Sequence, residues 1–443
     1  MFLSSGYRGI GDSGRSSQSS PVGVSRRGFL AASAAGVGAN LVADMSAING
    51  LRSAAMASEL KRQDKRVILL WLAGGASQFE TWDPKPGTKT GGPFRAIPTN
   101  VSGIRISELL PGLAERMQHT AIIRSLNTKI ADHGTAAALM ECGRRDDPGI
   151  RYPDIGAVVA RELGRLESKV PDYVSLYTST EGRRKGTSGF LGSRYAPMFL
   201  SESMTPANIL RPDSITDIDH RDRAALREAM AKRFVAQSKS HSVDSQMSAY
   251  QRVHGLMASA DLFDVEHEPA DVRARYGPTQ FGEQCLIARR LVEAGVPFVK
   301  VARAWWDSHG QNFETHRELC ADLDHCMSAL LDDLEQRGLL ENTLVITLGE
   351  FGRTPSINAS LGRDHFANAW SCSLSGAGVR GGVAYGETDA EGQTVVDGEA
   401  NAGDLFATIL AALGIDHEHE YMLGARPIPL SDFGSRPIEA VLG

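Results

Sequence analysis

The sequence has no excess of positive charge, because 47 lysines and arginines are set against 53 acidic residues, for a net charge of −6 over 443 residues. Binding to nucleic acid or to an anionic membrane surface depends on a basic field, so the composition argues against both kinds of partner. Cysteine is scarce: the five cysteines are odd in number, and none shows the Cys-x-x-Cys spacing of a structural zinc site. A disulfide scaffold is therefore not expected, and no repeat period indicates a solenoid.

The first 57 residues lack the pattern of a folded domain. A stretch rich in Ser and Gly leads to twin arginines at positions 26 and 27, and an apolar segment rich in Ala and Gly follows. This order is typical of a twin-arginine export signal, and residues 55–57 (AMA) offer a cleavage site. The apolar segment is too short for a stable membrane span. We therefore expect export by the twin-arginine machinery to the periplasm or cell exterior, with a mature chain that begins near Ser58.

Short apolar runs alternate with helical patterns along the rest of the chain. Buried strands are predicted at Lys65–Leu72, Thr120–Arg124, Tyr173–Tyr177, Val296–Ala302, Thr343–Leu348 and Trp370–Leu374. Apolar residues at three- and four-residue spacing predict helices at Ile155–Leu163, Glu283–Ala294, Phe313–Gln336 and Asp404–Leu413. This alternation indicates an α/β fold with a mostly parallel central sheet and helices on both faces. We expect one domain, 58–443, with a polar helical insertion at about 221–262.

Functional side chains in such a fold lie in loops beyond the carboxyl ends of the strands. The first of these loops opens with two glycines, which allow close backbone approach and leave amides to hold an anion, so we assign Gly74, Gly75 and Ser77 to ligand or cofactor binding. A simple glycine turn is the alternative. The second loop contains His133 and Thr135, which are both candidates for catalysis.

Two later loops predict a metal site. Asp307 and His309 are two residues apart, which in extended backbone points both side chains the same way. Glu350 follows another strand, and His365 comes shortly after it. Together these four residues predict a bound divalent cation, which would be zinc, manganese, iron or calcium. Arg353 supplies a planar fork for phosphate, sulfate or carboxylate and is the third candidate for catalysis.

A resemblance to the secreted family labelled domain of unknown function 1501 covers about residues 64–440. It is carried by the motifs LWLAGGASQFETWDPKPG, GEQCLIARRLVEAGVPFVKV, WDSHGQNF and GEFGRTP. The overall layout, with TLVITLGEFGRTP, GRDHF and a closing DLFATILAALGI, also resembles the alkaline phosphatase and sulfatase superfamily. The resemblance therefore implies an alkaline phosphatase-like α/β fold and metal-assisted hydrolysis of esters.

The superfamily layout also implies roles for particular residues. One metal would be held by Asp307, His309 and His365, and the nucleophile would lie nearest to Thr135. A helix N-cap without chemistry is the alternative for Thr135. The sequence departs from the superfamily at residues 73–75 (AGG), where a second metal would need an aspartate, and it lacks the Cys-x-Pro-x-Arg signature of sulfatases. Formylglycine-dependent hydrolysis is therefore not expected.

Two functions remain open from the sequence. The first is a periplasmic, metal-dependent hydrolase that acts on a small-molecule or polymer-bound phosphate, sulfate or related ester. The second is a non-catalytic secreted protein that uses the same fold to bind a surface polymer or a protein partner, which the missing aspartate favours. Acidic and imidazole groups on adjoining loops favour the enzyme, because a binding scaffold has no need of them.

Overall fold

The computed structural model describes residues 64–165, 168, 170–177, 186–200, 214–237, 255 and 260–443. These residues belong to one compact unit, Ser58–Gly443. The predicted export signal lies outside the described residues, as do residues 238–254 and 256–259 of the predicted insertion. The described part of that insertion is helical, and its helix begins at Asp217, four residues before the expected start.

The strands are β1 Arg66–Leu72, β2 Ala96–Pro98, β3 Arg105–Ser107, β4 Thr120–Leu126, β5 Tyr173–Tyr177, β6 Met198–Leu200, β7 Phe298–Arg303, β8 Thr343–Leu348, β9 Gly352–Arg353, β10 His365–Phe366, β11 Trp370–Gly376, β12 Val383–Tyr385, β13 Glu387–Thr388, β14 Val395–Asp397, β15 Glu420–Leu423 and β16 Arg426–Pro429. The α-helices are α1 Pro111–Ala114, α2 His133–Cys142, α3 Ile155–Leu163, α4 Asp217–Gln237, α5 Ala270–Tyr276, α6 Gln280–Glu293, α7 Asn312–Gln336 and α8 Ala402–Ala412. All the predicted strands and helices are confirmed, with ends within three residues of those expected.

Eight strands form the central sheet in the order β12-β4-β11-β8-β1-β7-β5-β6. Every neighbouring pair is parallel except those that β11 makes with β4 and β8. The mostly parallel sheet predicted from the sequence is therefore confirmed, with one antiparallel strand inside it. None of the described helices is both long and apolar enough to cross a membrane.

Both faces of the sheet are covered, as the continuous apolar run of β1 predicts. Ile68 and Leu70 belong to one buried cluster, which includes residues of α6 and α7. Val67 and Leu69 belong to a second cluster on the opposite face, with residues of α2, α3 and α8. The five cysteines are all buried and form no disulfide with one another, and burial is expected from their small apolar side chains.

The carboxyl ends of three adjacent parallel strands lie side by side. Leu72 at the end of β1 pairs with Arg303 at the end of β7, and Trp71 pairs with Leu348 at the end of β8. The loops that start at residues 73, 304 and 349 therefore leave the sheet at one edge. The antiparallel strand β11 begins at this same edge, which brings the segment just before it to the three loops.

Candidate metal centre

Loops at the carboxyl edge bring four side chains together. His133 is the first residue of α2, Asp307 and His309 follow β7, and His365 begins β10. Nε2 of His133 lies 3.2 Å from Oδ2 of Asp307, and Nε2 of His365 lies 3.1 Å from Oδ1. Donor atoms of these three residues all lie within 4.8 Å of one another. Nε2 of His309 joins them, 3.1 Å from Oδ1 of Asp307 and 3.0 Å from Nε2 of His365. We call these four residues the metal cluster.

Each histidine of the metal cluster is oriented through its other ring nitrogen. Nδ1 of His133 lies 2.8 Å from Oε1 of Glu350, and Nδ1 of His309 lies 2.7 Å from Oδ1 of Asp364. Nδ1 of His365 lies 2.8 Å from the carbonyl oxygen of residue 131. Because these oxygens accept hydrogen bonds, they place a proton on Nδ1, and Nε2, which carries a lone pair when the ring is neutral, faces inward. Metal-binding histidines have this arrangement.

The facing lone pairs argue that the cluster fits a cation. Neutral His309 and His365 would present two acceptor nitrogens to each other at 3.0 Å, and the carboxylate of Asp307 adds further acceptors. Only extra protons or a bound cation can hold such groups together. Imidazole nitrogens and one carboxylate suit zinc or iron better than calcium, which prefers oxygen ligands.

The carboxylate of Glu350 is not among the ligand atoms that face one another in the metal cluster, although the sequence predicted Glu350 as a metal ligand. Its Oε1 accepts the hydrogen bond from His133 and another from the backbone amide of Gly74 at 2.9 Å. The side chain is 6% exposed. Glu350 therefore orients the ring of His133. The sequence had assigned His133 to catalysis, but in the structure its ring lies in the metal cluster. The signal for His133 was present in the sequence, since Asp132-His133 lies in the loop that follows a predicted strand.

All three nitrogen atoms of the Arg353 guanidinium group donate hydrogen bonds to other residues of the protein. Nη2 donates to Oδ1 of Asp307 at 2.6 Å and to the carbonyl oxygen of Gly74. Nε donates to the carbonyl oxygen of Gly75 at 2.9 Å, and Nη1 donates to that of Arg363 at 3.1 Å. The side chain is fully buried. Its predicted use as a fork for an anionic ligand would break these bonds, so its role here is to hold Asp307 against the glycine turn.

The backbone amides that were predicted to hold an anion already donate hydrogen bonds to other groups of the protein. Gly74 donates to Glu350, Gly75 donates to the carbonyl oxygen of Leu72 at 3.2 Å, and Ser77 donates to Nε2 of His316 at 2.9 Å. The glycines allow a close approach instead. Both have positive φ, and a Cβ on Gly74 would lie 2.4 Å from the amide nitrogen of residue 307. The turn after β1 can therefore pack directly against the backbone of the loop that carries the metal cluster.

Thr135 is not the helix N-cap that the sequence offered as its alternative role. Asp132 caps α2, and its Oδ1 accepts hydrogen bonds from the amide of Thr135 at 3.0 Å and from the hydroxyl at 2.9 Å. The Thr135 side chain is exposed. A hydroxyl that already donates to a capping carboxylate holds the start of α2 in place, and thereby the position of His133.

Neighbouring groups shift the pKa values of Asp307 and His133 in the metal cluster. Burial opposes ionisation of Asp307, but hydrogen bonds from His133, His365 and Arg353 outweigh it and lower the pKa of this carboxyl. The hydrogen bond to Asp307 and then that to Glu350 raise the pKa of His133 from 6.5 to about 9. Protonated His133 therefore stabilises the metal-free fold. This contribution to the free energy of unfolding is complete below pH 6.5 and is lost as the pH rises through about 9.

Metal affinity is expected to rise with pH up to about 9, because a cation can bind Nε2 of His133 only after that nitrogen has lost its proton. One competing proton predicts an increase of about tenfold per pH unit. Titration calorimetry with zinc, in two buffers of different ionisation enthalpy, would count the protons released. A His133→Gln variant is the control, and its affinity should depend less on pH. An affinity of the unsubstituted protein that does not change over this range would contradict the prediction.

No curated protein matches the chain. Similar solved structures include the lipoteichoic acid synthase LtaP from Listeria monocytogenes, with 8% identity, TM-score 0.38 and coverage of 83% of this chain and 75% of that one. They also include the PsFucS1 sulfatase from Pseudoalteromonas sp., with 11% identity, TM-score 0.38 and coverage of 82% and 70%. A protein in the alkaline phosphatase superfamily from Vibrio parahaemolyticus shares 11% identity, with TM-score 0.32 and coverage of 80% and 67%.

A family model gives a match over most of the sequence. The model is described as protein of unknown function (DUF1501), and it matches residues 64–442. This range contains all the loops that build the metal cluster, and it agrees with the range over which the sequence motifs resemble this family. The chain belongs to the DUF1501 family.

Proposed function

We propose that the protein is an exported, metal-dependent hydrolase of phosphate, sulfate or related esters. The observation that carries the proposal is the metal cluster, in which the inward-facing Nε2 atoms meet the carboxylate of Asp307. Catalytic metal sites commonly use three protein ligands and leave a position open for water or substrate. His133, Asp307 and His365 form such a set of three. A divalent cation bound there would polarise an ester oxygen and lower the pKa of a bound water.

The protein's own residues prepare this site. Glu350 and Asp364 fix the rings of His133 and His309, so the donor nitrogens need not reorganise when a cation binds. Arg353 holds the Asp307 carboxylate in place through a hydrogen bond. Because Arg353 and the glycine amides are already bonded, the anionic group of the substrate would be held chiefly by the cation. The substrate is then a small-molecule or polymer-bound ester whose anionic group binds at the open position.

The test is a comparison of metal content and ester hydrolysis. The protein, recovered from the periplasm after expression with its own signal, would be analysed by elemental mass spectrometry. It would also be assayed on p-nitrophenyl phosphate, sulfate and phenylphosphonate. We expect about one equivalent of metal, which is lost together with turnover in the His133→Ala and His365→Ala variants. His267→Ala is the matched control, because its side chain is 55% exposed and pairs only with Asp264 among the described residues.

Each outcome of this test decides one part of the proposal. Metal-dependent turnover that survives both histidine substitutions would place the chemistry elsewhere and overturn the assignment of the site. Bound metal without hydrolysis of any ester would leave the non-catalytic binding protein as the better description. Retention of the protein in the cytoplasm would contradict export.

A further inference from the structure

The segment that ends at His365 lies directly against the loop that carries His309. We call residues 362–365 the GRDH segment. A Cβ on Gly362 would lie 1.9 Å from the carbonyl oxygen of His309, so the two backbones approach more closely than any residue except glycine allows. The side-chain amide of Asn358 donates to that same oxygen at 2.9 Å. The position of the GRDH segment therefore determines how His365 faces His309 in the metal cluster.

The backbone of Arg363 connects the GRDH segment to the residues around Asp307. Its amide donates to the carbonyl oxygen of Ser308 at 3.1 Å. Its carbonyl oxygen accepts from Nη1 of Arg353 at 3.1 Å, and Nη2 of Arg353 donates to Oδ1 of Asp307 at 2.6 Å. A displacement of Arg363 would therefore move both the loop that carries Asp307 and the arginine that holds its carboxylate.

The side chain of Arg363 is fully buried and anchors the GRDH segment. Its Nε and Nη2 atoms donate to Oε1 of Glu80 at 3.3 and 3.0 Å. Nη2 also donates to the carbonyl oxygen of Thr90 at 2.6 Å, and Nη1 donates to those of Thr354 and Pro355 at 3.0 and 2.7 Å. Every N–H group of the guanidinium is thus used. The bonds to Thr354 and Pro355 close the β9–β10 loop on itself, and those to Glu80 and Thr90 attach it to the loop after β1.

Stability alone does not explain the buried pair of Arg363 with Glu80. Both side chains are fully buried, and taking two charges out of water can cost more than their attraction returns unless the remaining acceptors are satisfied. Oε2 of Glu80 is buried and has no hydrogen-bond partner within the described ranges. An apolar pair would fill the same space, but it could not direct hydrogen bonds along fixed lines as a planar guanidinium does. A role in holding the loops at a fixed separation explains the pair.

We propose that Arg363 is a positioning residue of the metal cluster, and that its guanidinium fixes the separation at which His309 and His365 can both face one cation. Their Nε2 atoms lie 3.0 Å apart. Arg363 is not itself a ligand, and it acts through the GRDH segment. This inference rests on the proposed function, which needs a cation in the metal cluster. Ligands of a metal site must be held within about 0.5 Å of the productive geometry, so a small shift of the segment should weaken binding.

The first test measures metal affinity and needs no turnover. Arg363→Lys keeps the positive charge but has three donors in place of five and no planar fork. Titration calorimetry with zinc, on the exported protein after removal of bound metal, should give a Kd about tenfold higher or more. The visible absorption spectrum of cobalt(II), bound in place of zinc, should also change, because it depends on the geometry of the ligands. A purely structural role would lower the Tm and leave both the Kd and the spectrum unchanged.

Arg289→Lys is the matched control, because it changes another buried arginine in the same way. The side chain of Arg289 is 1% exposed and forms ion pairs with Glu268 and Asp333 at 2.8 and 2.9 Å. Asp333 is near the end of α7, about 30 Å along the helix from the end that follows His309 in the chain. We expect the Tm of this variant to fall about as much as that of Arg363→Lys, with the zinc Kd and the cobalt spectrum unchanged.

A second variant keeps the inference testable if Arg363→Lys does not fold. Arg363→Met/Glu80→Leu removes both buried charges together, so it should recover most of the stability. It lacks all the hydrogen bonds of the guanidinium, so its zinc Kd should remain at least about tenfold above that of the unsubstituted protein. Recovery of the unsubstituted Kd would show that packing alone positions the metal cluster, and it would overturn the inference.

The outcomes distinguish this inference from the proposed function. Zinc binding that is the same in Arg363→Lys and in the unsubstituted protein would contradict the positioning role alone. Weaker zinc binding in this variant, without hydrolysis of any ester by the unsubstituted protein, would support the positioning role and contradict the hydrolase. An unsubstituted protein that binds no zinc would overturn both.

Discussion

Replacing Asp307 by alanine is expected to abolish metal binding and to lower the stability of the metal-free protein. Asp307 is the residue that Nε2 atoms of His133, His309 and His365 all approach within 3.2 Å. Its loss should reduce metal affinity by more than the roughly 10- to 100-fold that removal of an outer hydrogen-bond partner costs. It also removes the carboxylate that accepts a hydrogen bond from fully buried Arg353, and removing one partner of a buried ion pair costs about 3–5 kcal/mol.

Two further variants separate the contributions to this expected loss of metal affinity and stability. Asp364→Asn keeps the metal cluster and changes only the partner of His309, at a side chain that is 56% exposed. Its metal affinity should fall about 10- to 100-fold or less. Asp307→Asn keeps the volume at the site, so it separates the loss of charge from the loss of packing. Metal content by mass spectrometry and Tm by circular dichroism are the measurements. Full metal content in Asp307→Ala would exclude the cluster as the binding site.

Sequence patterns were sufficient to predict which loops meet at one edge of the sheet. Buried apolar runs predicted the strands, and parallel strands end at one edge of a sheet, so the loops after β7 and β8 had to meet. Asp307, His309 and His365 do lie together for this reason. His133 was assigned to catalysis, yet its loop follows β4, which is parallel to β8 across β11. The same argument from strand ends therefore placed it near the others.

The hydrogen-bond partners of the site residues could not be predicted from the sequence. Arg353 and Glu350 both looked available for a ligand, since an arginine or a glutamate after a strand gives no sign of what lies opposite. The structure shows that the glycine turn approaches closely enough to bond both of them. Such an approach depends on the missing Cβ of Gly74 and on long-range packing. Strained backbone, as at Trp305, has no sequence signature either.

Breaking the ion pair between Lys300 and Glu141 is expected to cost about 3–5 kcal/mol of folding stability. Nζ of Lys300 contacts Oε1 of Glu141, and the two side chains are only 3% and 4% exposed. Nζ also lies 4.5 Å from the ring centre of Trp71. Lys300 is in the middle of β7, and Glu141 is near the end of α2. The pair therefore links the strand that leads to Asp307 with the helix that begins at His133.

Unfolding of the mature chain by denaturant would measure this effect in Lys300→Met. The double variant Lys300→Met/Glu141→Leu is expected to recover most of the stability, because an apolar pair of similar volume removes both buried charges together. Lys232→Met is the control, since the ion pair of Lys232 with Glu228 is largely exposed and should contribute little. A single variant as stable as the unsubstituted protein would contradict the prediction.

The double variant also tests whether the ion pair positions the metal cluster. The ion pair joins α2 to β7, so a shift of the helix in Lys300→Met should weaken zinc binding as well as the fold. If apolar packing is enough to hold the helix, metal affinity and stability should recover together in the double variant. Recovery of stability without recovery of affinity would show that the charges themselves, rather than the packing, set the geometry of the site.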